Sequence, residues 1–297
     1  MPRNIREGII TIDGWSALNR RRIIKNALRF EYRDSSKAKW WLKDESLVPA
    51  AQSITETIRN ITDHSLRANT EFCKLTDRKA VFRVKPLEGS GRSLVAKAFL
   101  LSRLENRFKY HKYGLDEVTN LLKAADRGIN APRIYGYGHI YGLFRLVGAN
   151  VVISEDLLGL SPIKNLLLKG TDNERHQIFM RTIPLFVSLY KAGCNHIDVN
   201  SGAVMLSERN LNHEVLLLDF QHARFYDKPS NEILMFEAGH FAQACRNWIS
   251  IETVNEWLDE LLRAVGINST DEIRKMKRCF SYYFKAELSR KHRKQIV

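Results

Sequence analysis

One stretch narrows the fold before any other does. From Cys73 to Leu101 the chain reads CKLTDRKAVFRVKPLEGSGRSLVAKAFLL. β-Branched and polar residues alternate there around a glycine-containing turn. A period of two puts successive side chains on opposite faces of a sheet, so the run predicts an antiparallel strand pair. An all-helical fold is excluded. Residues 115–127, LDEVTNLLKAADR, then read as an amphipathic helix, stopped by Gly128 and followed by Pro132. Residues 133–157 read as two or three strands. The pattern is helical again over 161–192, a short hairpin follows around 196–225, and the chain is helical after 230. The expected class is therefore α+β, with a small β-rich lobe and a mostly helical lobe joined near Glu155–Leu160. Ahead of them, residues 15–30 and 49–67 carry helical apolar spacing. The expected organisation is a basic helical N-terminal extension over 1–70, the β-rich lobe with its helix over 71–157, and the helical lobe with a basic tail over 158–297.

The chain has 297 residues, 44% of them hydrophobic and 27% charged, enough apolar material for a sizeable core. Cys73, Cys194, Cys245 and Cys279 are scattered, with no pair at zinc spacing, so a reducing compartment fits. The first fifteen residues hold no apolar core of a signal peptide, and no uncharged run of membrane-spanning length occurs. A soluble, cytoplasmic protein is expected. The net charge of +14 sits at the ends. Residues 1–46 hold 11 Lys/Arg against 6 Asp/Glu, and residues 274–297 hold 9 against a single Glu. Such ends suit either solvated helix faces with a frayed tail or attraction to a polyanion: an anionic membrane surface, a phosphorylated glycan or, more weakly, nucleic acid. Nothing resembles a base-reading motif, so no nucleic-acid partner is expected.

Phosphoryl transfer asks a protein to hold phosphates, bind a metal and align an acceptor hydroxyl. Each part has a candidate, in one direction along the chain. Gly89, Ser90 and Gly91 form a turn between two strands, where backbone N–H groups can approach a phosphate with no Cβ in the way. Lys97 lies on the second strand amid Val95, Ala96 and Phe99, unusual for a core-facing strand; an edge-strand lysine pointing to water is the alternative. Glu117, on the next helix, is the carboxylate to hold it. Glu155 and Leu157 end a buried strand at a hinge whose backbone would bind an adenine. Asp198, two residues after His196, is the candidate base. Asp219, ending VLLLD, is the candidate Mg²⁺ ligand.

The stretches EVTNLLKAADRGINAPRIYGYG, VVISEDLLGLSPIKNLL, LYKAGCNHIDVNSGAVML and VLLLDFQHARF, with GSGRSLVAKAF, resemble the lipopolysaccharide kinases of Gram-negative bacteria, the group of Kdo kinases and core heptose kinases. The resemblance spans roughly residues 80–226. It implies a protein-kinase-like fold, ATP and Mg²⁺ as cofactors, and a sugar hydroxyl of the lipopolysaccharide core or a lipid A precursor as acceptor. The enzyme would be peripheral on the anionic inner-membrane surface. The resemblance makes Lys97 and Glu117 the ion pair, Asp198 the catalytic base, Asp219 the magnesium ligand and His196 the structural histidine of the catalytic loop. Two positions depart from the pattern. Ala203 stands where kinases commonly carry a second, asparagine ligand, and Asn200 is the first candidate to replace it, with Ser201, a water or a single tight metal as alternatives. Gln221 replaces a glycine after Asp219. The competing readings are a non-catalytic pseudokinase scaffold, for which Ala203 speaks, and a kinase of another small molecule or a protein.

Overall fold

The computed structural model describes residues 17–35, 37–61, 70–84, 93–101, 104–110, 112–207 and 215–296. The chain divides into two compact units. One comprises residues 15–123 and 132–158; the other comprises 1–14, 124–131 and 159–297. The class is α+β, with an antiparallel sheet in the first unit and mainly helices in the second.

The first unit is built on a seven-stranded sheet in the order β1-β2-β6-β7-β5-β4-β3, antiparallel throughout. Its strands are β1 (Phe30–Asp34), β2 (Ala38–Leu42), β3 (Phe72–Leu75), β4 (Lys79–Val84), β5 (Leu94–Leu100), β6 (Ile134–Tyr141) and β7 (Val147–Glu155). The Cys73–Leu101 run supplies three of them. Helices α1 (Ala17–Ala27) and α2 (Val48–Arg59) fall where the N-terminal periodicity places them. The residues between them form β1 and β2, which the sequence had left unassigned. These two strands extend the sheet beyond β6, so residues 30–42 belong to the same sheet as β5 and β7.

Helix α2 covers one face of the sheet. Ala50, Ala51 and Ile54 of α2 share one buried cluster with Trp40, Leu42, Phe82, Leu94, Ala96, Ala98, Val151 and Ile153. Trp40 Nε1 donates to Thr55 Oγ1 at 3.2 Å, which removes the indole's unpaired donor from the core. Residues 94, 96 and 98 of β5 thus point towards α2, and the pleat turns residue 97 to the opposite face. Helices α3 (Leu104–Tyr110) and α4 (Tyr113–Asp126) follow β5. Gly114 lets α4 come close to β7: a Cβ at that position would stand 2.8 Å from Asn150 Cβ.

The second unit opens with β8 (Leu160–Pro162), α5 (Ile163–Lys169), α6 (Asp172–Met180) and α7 (Ile183–Lys191). Short strands β9 (Cys194–Asn195), β10 (Val204–Ser207), β11 (Leu216–Leu217) and β12 (Arg224–Phe225) follow, then α8 (Asn231–Cys245), α9 (Ile251–Ala264), α10 (Thr270–Lys285) and α11 (Arg290–Arg293). Helix α8 is buried along most of its length and forms the unit's axis. Phe241 stacks on Phe179 at 5.4 Å, and Trp257 of α9 lies 5.0 Å from Phe179 and 5.1 Å from Phe186. Thr182 accepts the indole N–H of Trp257 at 3.0 Å. Ser250 caps α9, whose Val254, Trp257, Leu258, Leu261 and Leu262 repeat at helical spacing and face this cluster. Among the described residues no helix is long and apolar enough to cross a membrane.

Candidate active site

In the first unit, Lys97 and Glu117 meet. Lys97 Nζ lies 2.5 Å from one Glu117 carboxylate oxygen and 2.6 Å from the other. The side chains are 13% and 4% exposed, so the pair is nearly dehydrated. The fold has arranged this in two steps. The strand pleat turns Lys97 away from α2, and Gly114 allows α4 to bring Glu117 against the sheet. A buried lysine with one well-placed counter-charge keeps its ammonium group fixed, which is what holding a phosphate requires.

Of the other expected nucleotide contacts, Glu155 and Leu157 lie at and just after the end of β7. Gly89, Ser90 and Gly91 are outside the described residues. Their connection leaves β4 at Val84 and enters β5 at Leu94, the end where β7 finishes, because the Asp156 N–H donates to the Ser93 carbonyl at 3.0 Å. Lys97 is three residues further along β5, about 10 Å at the usual strand rise. Glu155 closes β7, and its carboxylate accepts the Arg133 N–H at 2.9 Å. Leu157, next in this segment, is half-buried. Asp156, given no role in the sequence reading, is the anchor here. Its carboxylate accepts from Arg83 Nε and Ser93 Oγ, both at 2.9 Å.

In the second unit the His196–Ala203 turn is held from several sides. Gly193, at φ +60, leads into it; a Cβ there would lie 2.4 Å from the Tyr226 carbonyl, so only glycine lets the two segments pair. His196 is fully buried. Its Nε2–H donates to the Leu218 carbonyl at 2.8 Å, and its ring meets Phe220 edge-on at 4.7 Å. His196 thereby ties the Asp198 turn to the strand end that carries Asp219. The Leu218 N–H donates to the Ala203 carbonyl at 2.9 Å, a second tie between the same segments. Ile197 sits at φ +74, a strained backbone for a β-branched residue. Its N–H donates to Glu237 Oε1 of α8 at 2.7 Å.

Asp198 is 8% exposed, and its Oδ1 is 2.8 Å from Arg293 Nη1. Asp219 is exposed and adopts left-handed backbone, φ 63 and ψ 47, at the N-terminus of a short 3₁₀ turn. Asn200 closes its own loop: its Nδ2 donates to the Asp198 carbonyl at 2.8 Å, and its Oδ1 accepts the Gly202 N–H at 2.9 Å. An amide oxygen has two lone pairs, so one remains for a further ligand. Ala203 is buried and offers no side-chain oxygen. Among the described residues no group of three His, Cys, Asp or Glu is placed to cage a metal. One carboxylate and one amide oxygen suit an Mg²⁺ that takes its remaining ligands from phosphates and water.

Glu237, His240 and Arg293 were absent from the sequence reading. Burial pushes the Glu237 carboxyl up to about 8, against the Ile197 and His196 N–H groups, which favour its charged form. Burial also takes the His240 imidazole down to about 4, with Arg293 acting in the same direction. A pH dependence follows for Glu237. Unfolded, it loses its proton near 4.5; folded, it keeps it to about 8. Stability from this group is therefore full at acid pH and falls as pH rises through that window. Glu237→Gln should gain on the wild type by a few kcal/mol between about pH 5 and pH 8, as read by urea unfolding at both. An unchanged difference between the two pH values would contradict a protonated Glu237.

No family model matches the chain, and no curated protein matches it. Among solved structures, WaaP in complex with acyl carrier protein aligns at 11% identity with a TM-score of 0.48, over 72% of this chain and 89% of that one.

Proposed function

We propose that the chain is an ATP-dependent kinase that phosphorylates a sugar hydroxyl, of Kdo or heptose, on the lipopolysaccharide inner core at the cytoplasmic face of the membrane. The observation that carries the catalytic part is the nearly dehydrated Lys97–Glu117 pair, two-pronged and buried on the sheet face opposite α2. Exposed ion pairs contribute little; this one is buried and fixes a cation on an otherwise apolar strand. The motif resemblance set out above supports the substrate class.

In this reading Lys97 holds the nucleotide's phosphates, with Gly89, Ser90 and Gly91 covering them and the Glu155–Leu157 backbone receiving the base. Asp219 and Asn200 would hold Mg²⁺, which when bound neutralises charge on the phosphates. Asp198 orients the acceptor hydroxyl. The acceptor oxygen bonds to the γ-phosphorus, the bond from that phosphorus to the bridging oxygen breaks, ADP leaves with the electron pair, and the hydroxyl proton passes to Asp198. His196 keeps the Asp198 turn and the Asp219 strand end in register.

The basic ends support placement at an anionic surface. Arg274, Lys275, Lys277 and Arg278 are exposed on α10, and Lys277 and Arg274 are partly neutralised by Asp259 and Asp271. Each cation near such a surface contributes roughly 1 kcal/mol, so a handful suffices for reversible attachment. Flotation with anionic vesicles should therefore show binding at low salt and release at high salt. No binding at low salt would remove the membrane part of the proposal. Mass spectrometry of the core glycolipid from cells with and without the protein should show a difference of one phosphate. Identical glycolipids would remove the substrate.

A further inference from the structure

Nothing from His196 to Ala203 is a lysine or an arginine. Yet Asp198, nearly closed off from water, has a guanidinium on it, and that group comes from 95 residues further along the chain. Helix α11 (Arg290–Arg293) presents Arg293, whose side chain is 13% exposed. Its Nη1 reaches Asp198 Oδ1 at 2.8 Å, donates to the Ile197 carbonyl at 3.3 Å, and donates to His240 Nε2. The neutral imidazole described above is the form able to accept there. The segment is also held by its backbone: Asn195 Nδ2 donates to the Ile296 carbonyl at 3.0 Å.

The contacts show what is being gripped. Arg293 holds the carboxylate of Asp198 and the peptide oxygen of Ile197, while Glu237 holds the N–H of that same strained residue. The turn is thus clamped from α8 on its donor side and from the C-terminal segment on its acceptor side. A plug lying over the site would meet the carboxylate alone. Charged hydrogen bonds in a dehydrated setting fix direction as well as distance.

We propose that Arg293 is a positioning residue of this active site, delivered by the C-terminal segment to fix the Asp198 carboxylate and the Ile197 peptide in the geometry that receives the acceptor hydroxyl. The inference rests on the kinase reading above. It also changes the meaning of the basic tail: one of its charges is committed to the catalytic turn, while the exposed ones on α10 face solvent.

The test uses the full chain, with Mg-ATP and purified inner-core glycolipid. Arg293→Met should lower kcat about 100-fold, the scale of a misplaced catalytic group. Its Kd for Mg-ATP should stay at the wild-type value, and added methylguanidinium should restore part of kcat. Arg293→Lys should fall between the two. A merely structural role would not give rescue by the free cation. Wild-type kcat in Arg293→Met would overturn the proposal, and a raised kcat would make the segment a lock instead. A second measurement needs no turnover and serves if Arg293→Met fails to fold. Carbodiimide with glycine ethyl ester, read by mass spectrometry, should leave Asp198 unlabelled in the wild type and label it after deletion of residues 290–297. Rapid labelling of Asp198 in the wild type would overturn the contact itself. Protection of Asp198 in a wild type that transfers no phosphate would instead sink the kinase reading, and the catalytic role of Arg293 with it.

Discussion

Asp198→Asn should lower phosphate transfer about 1000-fold, within the range that a positioned acid–base group supplies. Asparagine nearly matches the aspartate in shape, and its amide oxygen can still accept from Arg293. It cannot take a proton from an acceptor hydroxyl. The substitution also leaves the Arg293 guanidinium without its counter-charge in a nearly closed site. Removing one partner of a buried pair costs about 3–5 kcal/mol, so the rate must be read beside an unfolding curve. A folded Asp198→Asn protein with wild-type turnover would remove Asp198 from the role of base.

Lys97 and Glu117 allow stability and function to be separated. Lys97→Met leaves a buried carboxylate unpaired and should cost about 3–5 kcal/mol. Adding Glu117→Leu should return most of that loss, because replacing both members of a buried pair by apolar groups is often neutral or stabilising. Transfer of phosphate should stay abolished in both proteins. Urea unfolding with a parallel ATP turnover assay reads the two effects. If the double variant recovers stability and turnover together, the pair is structural and holds no phosphate.

The sequence revealed some of this directly. The alternation from Cys73 to Leu101 placed the strands and put Lys97 on one of them, and the 3.6 period placed α4 with Glu117. Both signals are local. The role of residues 30–59 was hidden because its signal is not local: β1 and β2 are short, and Trp40 and Leu42 acquire meaning only when α2 joins them in one cluster with Ala96 and Ala98. The resemblance marked His196 as the structural histidine of the catalytic loop, whereas its bond to the Leu218 carbonyl depends on the pairing of β10 with β11. Glu237 looked like any polar residue in a helix. Its helix is buried almost all round, and only then does a carboxylate there demand a partner. Arg293 was the hardest to see. A cation in a basic tail reads as solvated, and no local pattern says that one of several arginines folds back onto residue 198.

The most direct measurement is transfer of the γ-phosphate of labelled ATP to purified inner-core glycolipid, with the Asp198→Asn protein alongside. The expected result is label in the glycolipid, one added phosphate by mass, and loss of both in the variant. Unlabelled glycolipid, or equal labelling by the two proteins, would contradict a kinase that works through Asp198 on this acceptor.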